Sequence, residues 1–128
     1  MVGDFLLDTN ILVAVFNEDR QAVDSFKRST IFVSTIVLGE LYFGADASRR
    51  VAANRERLES LASRVTVLAI NRITAMWYSR IKNQIRTIGK PIPDNDVWIA
   101  ATAMEHGLAL VTRDSHFDHI HGLNLVRW

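Results

Sequence analysis

The sequence predicts an α/β domain: a three-layer helix-sheet-helix sandwich with a mainly parallel sheet of four to five short strands, spanning residues 1–128 as one unit. Two observations carry this expectation. Brief runs of β-branched and aliphatic residues alternate with longer stretches of helical period, the pattern that parallel pairing through right-handed crossovers requires. In addition, 128 residues with 48% hydrophobic content can build the core of a single domain, and no repeat or low-complexity stretch marks a second.

The runs Phe5-Leu6-Leu7, Ile31-Phe32-Val33, Val65-Thr66-Val67-Leu68, Ala109-Leu110-Val111 and Leu123-Asn124-Leu125-Val126 read as five strands, most of them buried on both faces. A helix is expected to start near Asn10, and Ser34 or Thr35 is placed to cap another after the second strand. A helix over roughly 49–63 turns Val51, Leu58, Leu61 and Ala62 inward. The next has the clearest period, with Ile73, Met76, Trp77, Ile81, Ile85 and Ile88 in one apolar stripe. The last, from about Asp94 to His106, is apolar nearly all round in Val97-Trp98-Ile99-Ala100-Ala101, which predicts deep burial, and Gly107 ends it.

Charge is segregated along the chain although the net value is only +1. Between Arg49 and Lys90 ten bases face two acids, a local charge of +8, and the remainder carries −7. This suits a basic surface for phosphates beside an acidic site that needs a metal before it can approach them; two solvated helix faces would give the same numbers. The absence of cysteine excludes disulfides, thiolate catalysis and Cys-based zinc sites. No apolar stretch is long enough to span a bilayer, and the opening Met-Val-Gly-Asp-Phe lacks the features of a signal peptide, so no membrane association is expected and the cytoplasm is the default.

Four acids, Asp8, Glu40, Asp96 and Asp114, fall where such a sheet gathers its ligands, outside the carboxyl ends of the strands. Three also have structural uses. Asp8 and Asp114 suit caps or turns, and Asp96 in a first helical turn favours the helix dipole. Glu40 has no such use, because it is not spaced as a capping-box partner and lies among Ile36, Val37, Leu38, Leu41 and Phe43, where an unpaired carboxylate is costly. In Pro93-Asp94-Asn95-Asp96, Asp94 is the expected N-cap beside the site and Asp96 the ligand. An all-carboxylate set selects Mg2+ or Mn2+ over zinc, and the reaction suited to it is phosphodiester hydrolysis.

Other chemistries find less support. His116, His119 and His121 do not have the spacing of a zinc-binding pair. The glycines form no phosphate-binding fingerprint, and Ser34 and Ser115 lack the glycines of a nucleophile elbow. Trp77 and Trp98 lie on apolar faces and read as core.

The segments Leu6-Leu7-Asp8-Thr9-Asn10, Val37-Leu38-Gly39-Glu40-Leu41, Asp96-Val97-Trp98-Ile99-Ala100-Ala101 and Val111-Thr112-Arg113-Asp114, in this order and spacing, resemble the PIN-domain ribonucleases, in particular the VapC toxins of bacterial toxin-antitoxin pairs. The resemblance covers essentially the whole chain. It implies an endoribonuclease dependent on Mg2+ or Mn2+, with Asp8, Glu40 and Asp96 matching the family acids and Asp114 a fourth position that many relatives fill with Asn. Thr9, Asn10 and Thr112 match polar positions beside the metal, and Arg113 together with the arginines of 49–90 is expected to hold flanking phosphates. The resemblance further implies a homodimer, a cognate VapB-like antitoxin whose C-terminal segment blocks the acidic pocket, and an RNA substrate such as a tRNA or ribosomal RNA loop. Two rivals remain: a catalytically inert PIN-like binding module, and a phosphoacceptor signalling domain, which would need an aspartate ending the third strand and a late lysine, neither of which is present.

Overall fold

The computed structural model describes residues 3–128. Strands β1 (Asp4–Leu7), β2 (Thr30–Ser34), β3 (Thr66–Leu68), β4 (Ala109–Val111) and β5 (Leu125–Val126) form one sheet in the order β3-β2-β1-β4-β5, every neighbouring pair parallel. Between them run α1 (Thr9–Phe16), α2 (Arg20–Lys27), α3 (Thr35–Asp46), α4 (Val51–Ala62), α5 (Arg72–Ile88) and α6 (Asp94–His106). β1 is the central strand, paired on both sides and covered on both faces, which is why Phe5, Leu6 and Leu7 are all buried. From β1 the chain steps outward to β2 and β3, then returns through α5 and α6 to place β4 on the opposite side. That reversal opens a crevice between β1 and β4 at their carboxyl ends.

Local chemistry sets the helix ends. Ser34 caps α3 by accepting from the Val37 N–H (3.1 Å). Asn71 and Thr74 form a reciprocal capping box at the start of α5. Gly89 and Gly107 close α5 and α6 in the left-handed region, at φ 67° and 63°. In α6, Val97, Ile99, Ala100, Ala101 and Ala103 are fully buried, as the all-round apolar pattern predicts. Helix α5 packs along it, and the Thr74 hydroxyl donates to Glu105 Oε1 at 2.5 Å to join the two helices.

Several sequence expectations need correction. β3 begins at Thr66 rather than Val65, and as an edge strand, with Thr66 and Val67 exposed, it is not among those buried on both faces. β5 is shortened to two residues because the turn through Gly122, at φ 82°, occupies the approach to it. Only the middle of the α5 stripe reaches the core: Ile81 and Ile85 are buried, whereas Ile73, Met76 and Ile88 are exposed, since α6 covers a narrower face than the sequence stripe offers. Similarly, Leu58 and Leu61 of α4 are buried, a gain of about 1.5–3 kcal/mol each, but Val51 is exposed. Helix α2 is an addition to the expected helices: Ala22, Val23 and Phe26 give it a short apolar side, Asp19 caps it through the Ala22 N–H, and Ala22 is its one buried residue among those described. No helix of the described residues is long and apolar enough to cross a membrane.

Candidate metal centre

Asp8 follows the central strand and is only 5% exposed. Its carboxylate is fixed from two sides: Oδ1 accepts from the Thr9 N–H at 2.8 Å, and Oδ2 accepts from the Thr112 hydroxyl at 2.8 Å. The first bond makes Asp8 the N-cap of α1, so its structural use and its place in the crevice coincide. Burial raises its pKa, the two hydrogen bonds work against that, and the charges of Glu40 and Asp114 raise it further.

Glu40 reaches the same crevice from α3. It is half-buried, and the Thr9 hydroxyl donates to its Oε1 at 2.5 Å, which gives the carboxylate the partner its apolar surroundings demand. Asp96, in the first turn of α6, is pushed up to about 6 by burial first and then by the charge of Asp8, with Asp114 and Glu40 adding to it and His116 opposing. Asp114 stands at the start of a 3-10 turn over Ser115–His119 and accepts from the His116 N–H at 3.1 Å, while its own N–H donates to the Thr112 hydroxyl at 3.0 Å. The four acids therefore share one electrostatic neighbourhood, built from β1, α3, α6 and the segment after β4. Among the described residues, no Lys or Arg forms an ion pair with any of them. Anionic groups gathered without a cationic side chain call for a cation from outside, and carboxylate oxygens suit a hard one.

The sequence reading missed His116. Its Nε2 lies 2.6 Å from Asp114 Oδ1 and its Nδ1 3.2 Å from Asp96 Oδ2, so Asp96, Asp114 and His116 form a compact group of ligand atoms within 4.8 Å of one another. Spacing along the chain did not reveal this, because the 3-10 turn folds the residue two after Asp114 back over it.

Two further expectations are corrected. Pro93, not Asp94, is the N-cap of α6, and Asp94 makes no capping bond. Its exposed carboxylate instead pairs with Lys82 and accepts from Tyr78 Oη at 3.1 Å, because Pro93 already begins the turn and α5 lies alongside. The Arg113 guanidinium is committed elsewhere, donating to the Trp128 carbonyl at 2.8 Å and pairing with Asp19 at 3.1 Å, rather than standing free for phosphates. Asn10 accepts from the Arg113 N–H at 3.4 Å, tying α1 to the segment after β4. Of the basic stretch, Arg57 lines, with Thr9, Glu40, Phe16 and Leu58, a largely apolar groove of about 310 Å³.

A parallel 3-2-1-4-5 sheet with carboxylates gathered at its switch point defines the class, and a family model for the PIN domain matches residues 5–123. The chain belongs to the PIN-domain family, among its VapC-type members. Ribonuclease VapC2 of Haemophilus influenzae is 32% identical to it over 97% of both chains, and Ribonuclease VapC2 of Rickettsia felis 30% over the same share. The tRNA(fMet)-specific endonuclease VapC of Shigella flexneri is 29% identical over 97% of each. Among solved structures, the chain in VapBC2 of Rickettsia felis bound to a promoter DNA fragment superposes with a TM-score of 0.90, at 28% identity, covering 100% of this chain and 99% of that one. The corresponding chain of VapBC from Salmonella typhimurium gives 0.89 at 28% identity, with the same coverage.

Proposed function

We propose that the protein is a metal-dependent endoribonuclease toxin that hydrolyses RNA phosphodiester bonds in the cytoplasm and is restrained by a VapB-like antitoxin. The observation that carries this reading is the crevice itself: burial and the charges of Glu40 and Asp114 raise the pKa of Asp8 and Asp96 at the carboxyl edge of β1 and β4, with no Lys or Arg side chain paired to any of the four acids among the described residues. Names of relatives, among them ribonucleases and a tRNA-specific endonuclease, support RNA as the substrate and a tRNA loop as a candidate.

Asp8, Asp96 and Glu40 would hold one or two Mg2+ or Mn2+ ions, with Asp114 completing the shell. A bound ion of this kind supplies acidified water near neutral pH and offsets charge on the phosphoryl group. Thr112 and the Thr9 N–H fix the plane of the Asp8 carboxylate, and the Thr9 hydroxyl fixes Glu40, so both acids are oriented before substrate arrives. Arginines of α4 and α5 supply positive charge for the RNA backbone.

The groove beside Thr9 and Glu40 supports the antitoxin reading, since an apolar segment lying there would bring a basic residue to the acids. Exposed Phe43, Ile73 and Met76 support protein contacts, including a homodimer. Incubation of the purified protein with total RNA, with Mg2+ or with EDTA, followed by mapping of the cut ends, tests the proposal. Discrete, metal-dependent cuts with 5′-phosphate ends are expected. Intact RNA under both conditions would favour the inert binding module.

A further inference from the structure

His116 has no role in the reading above, yet its ring touches two of the four acids. Its ring is wedged between two carboxylates, with Nε2 2.6 Å from Asp114 Oδ1 and Nδ1 3.2 Å from Asp96 Oδ2. The ring as a whole is partly exposed, but Nδ1 is buried and has no hydrogen-bond partner among the described residues. This pose is built into the backbone. The His116 N–H bonds the same Asp114 oxygen at 3.1 Å, and the next residue, Phe117, is fully buried and anchors the turn in the core.

A buried nitrogen and a carboxylate oxygen 3.2 Å apart, with no hydrogen bond joining them, are two electron-pair donors facing a common point. Two donors bound about 2.1 Å from one cation, at a right angle, stand about 3.0 Å apart. A proton carried on Nε2, the nitrogen nearer to a carboxylate, would leave the Nδ1 lone pair for a cation. A carboxylate behind an imidazole is the usual way of fixing the tautomer and orientation of a metal-bound histidine.

We infer that His116 is a metal ligand of this site: Nδ1 joins Asp96 Oδ2 in holding a divalent transition ion, and Asp114 acts from behind the ring as its orienting carboxylate. The inference rests on the proposed function and sharpens it. Replacing one oxygen donor by an imidazole nitrogen shifts preference away from Mg2+ toward Mn2+ and Co2+, because nitrogen suits borderline transition ions better than the hard alkaline-earth ion.

Mn2+ bound to the full chain is the probe. Pulsed electron paramagnetic resonance of wild-type protein with Mn2+ is expected to show 14N coupling from a directly coordinated imidazole. His116→Gln is expected to lose that coupling and to bind Mn2+ about 10–100-fold more weakly by calorimetry, with a much smaller change for Mg2+. Wild-type protein that binds Mn2+ without nitrogen coupling would overturn the inference and leave the proposed function standing, and so would coupling that persists in His116→Gln. Failure of wild-type protein to bind either ion would remove the metal site itself, and the proposed function with it. The wild-type spectrum decides the matter even if the variant does not fold.

Discussion

The Thr112 hydroxyl donates to Asp8 Oδ2 at 2.8 Å, joining two residues 104 positions apart, and the same hydroxyl oxygen accepts from the Asp114 N–H at 3.0 Å. One side chain therefore spaces two acids that sequence alone could place only at the ends of separate strands. Because Thr112 is 2% exposed, neither bond is easily replaced by water.

Thr112→Val preserves shape and removes both bonds. Asp8 would lose its strongest pKa-lowering contact, and its carboxylate would be free to turn out of register. Affinity for Mn2+ is expected to fall about 10-fold or more, as for other residues that orient metal ligands. Calorimetric titration of the variant checks this, and a binding constant equal to wild type would show that Thr112 contributes packing alone.

Asp8→Asn should keep the cap on α1, since Asn serves there nearly as well, so circular dichroism is expected to be unchanged. Cleavage of total RNA in Mg2+ should drop on the order of 10³-fold, reflecting the several kcal/mol of charge stabilisation that metal sites provide. Retention of wild-type cleavage would mean that the crevice is not the active site.

Asp96 makes the metal-free protein sensitive to pH. Its folded pKa is raised from 3.8 to about 6, so the native state keeps a proton that the unfolded chain releases. Stability of the metal-free protein therefore falls as pH rises from about 4 to about 6, and the cost is fully present above that range. Asp96→Asn is expected to flatten this slope and, in EDTA at pH 7.5, to raise Tm by about 2–5 °C, equivalent to ~1 kcal/mol once solvent screening on the open side of the carboxylate is allowed for. Thermal melts from pH 4 to pH 8 measure both effects; a lower Tm with the slope intact would count against burial and neighbouring charge as the cause of the raised pKa.

RNA binding should weaken with salt. Several bases of the 49–90 stretch are already engaged, Arg55 with Asp46, Lys82 with Asp94 and Arg57 with the Phe16 carbonyl, so the number of phosphates neutralised should be smaller than the +8 local charge suggests. For a single-stranded target, log K is expected to fall with log salt by about 0.7 per phosphate contacted. Binding that is indifferent to salt would exclude the basic surface as an RNA contact.

The fold was legible because its evidence is periodic. Five apolar runs each became a strand, and the burial of Val97 and of Ile99 to Ala103 could be read from the nearly all-round apolar pattern of α6. Position relative to strand ends also singled out Asp8 and Asp96. What sequence could not show depends on contacts between segments. Nothing along the chain distinguishes β3 as an edge, or tells that α6 is too narrow to cover Ile73 and Met76. Arg113 looked free because its partners, Asp19 and Trp128, come from opposite ends of the sequence. His116 looked like one of three loop histidines; it lies at the start of the 3-10 turn, two residues after Asp114, whereas His119 at the end of the same turn and His121 beyond it carry no such contact to the acids among the described residues.

The strand order also bears on biosynthesis. Because β4 slots in beside β1 after β2 and β3 have been made, Thr112, Asp114 and His116 reach Asp8 only when all six helices have emerged. A nascent chain that has not yet delivered β4 has no closed crevice, so a ribosome translating this message is not exposed to an assembled site on its own unfinished product.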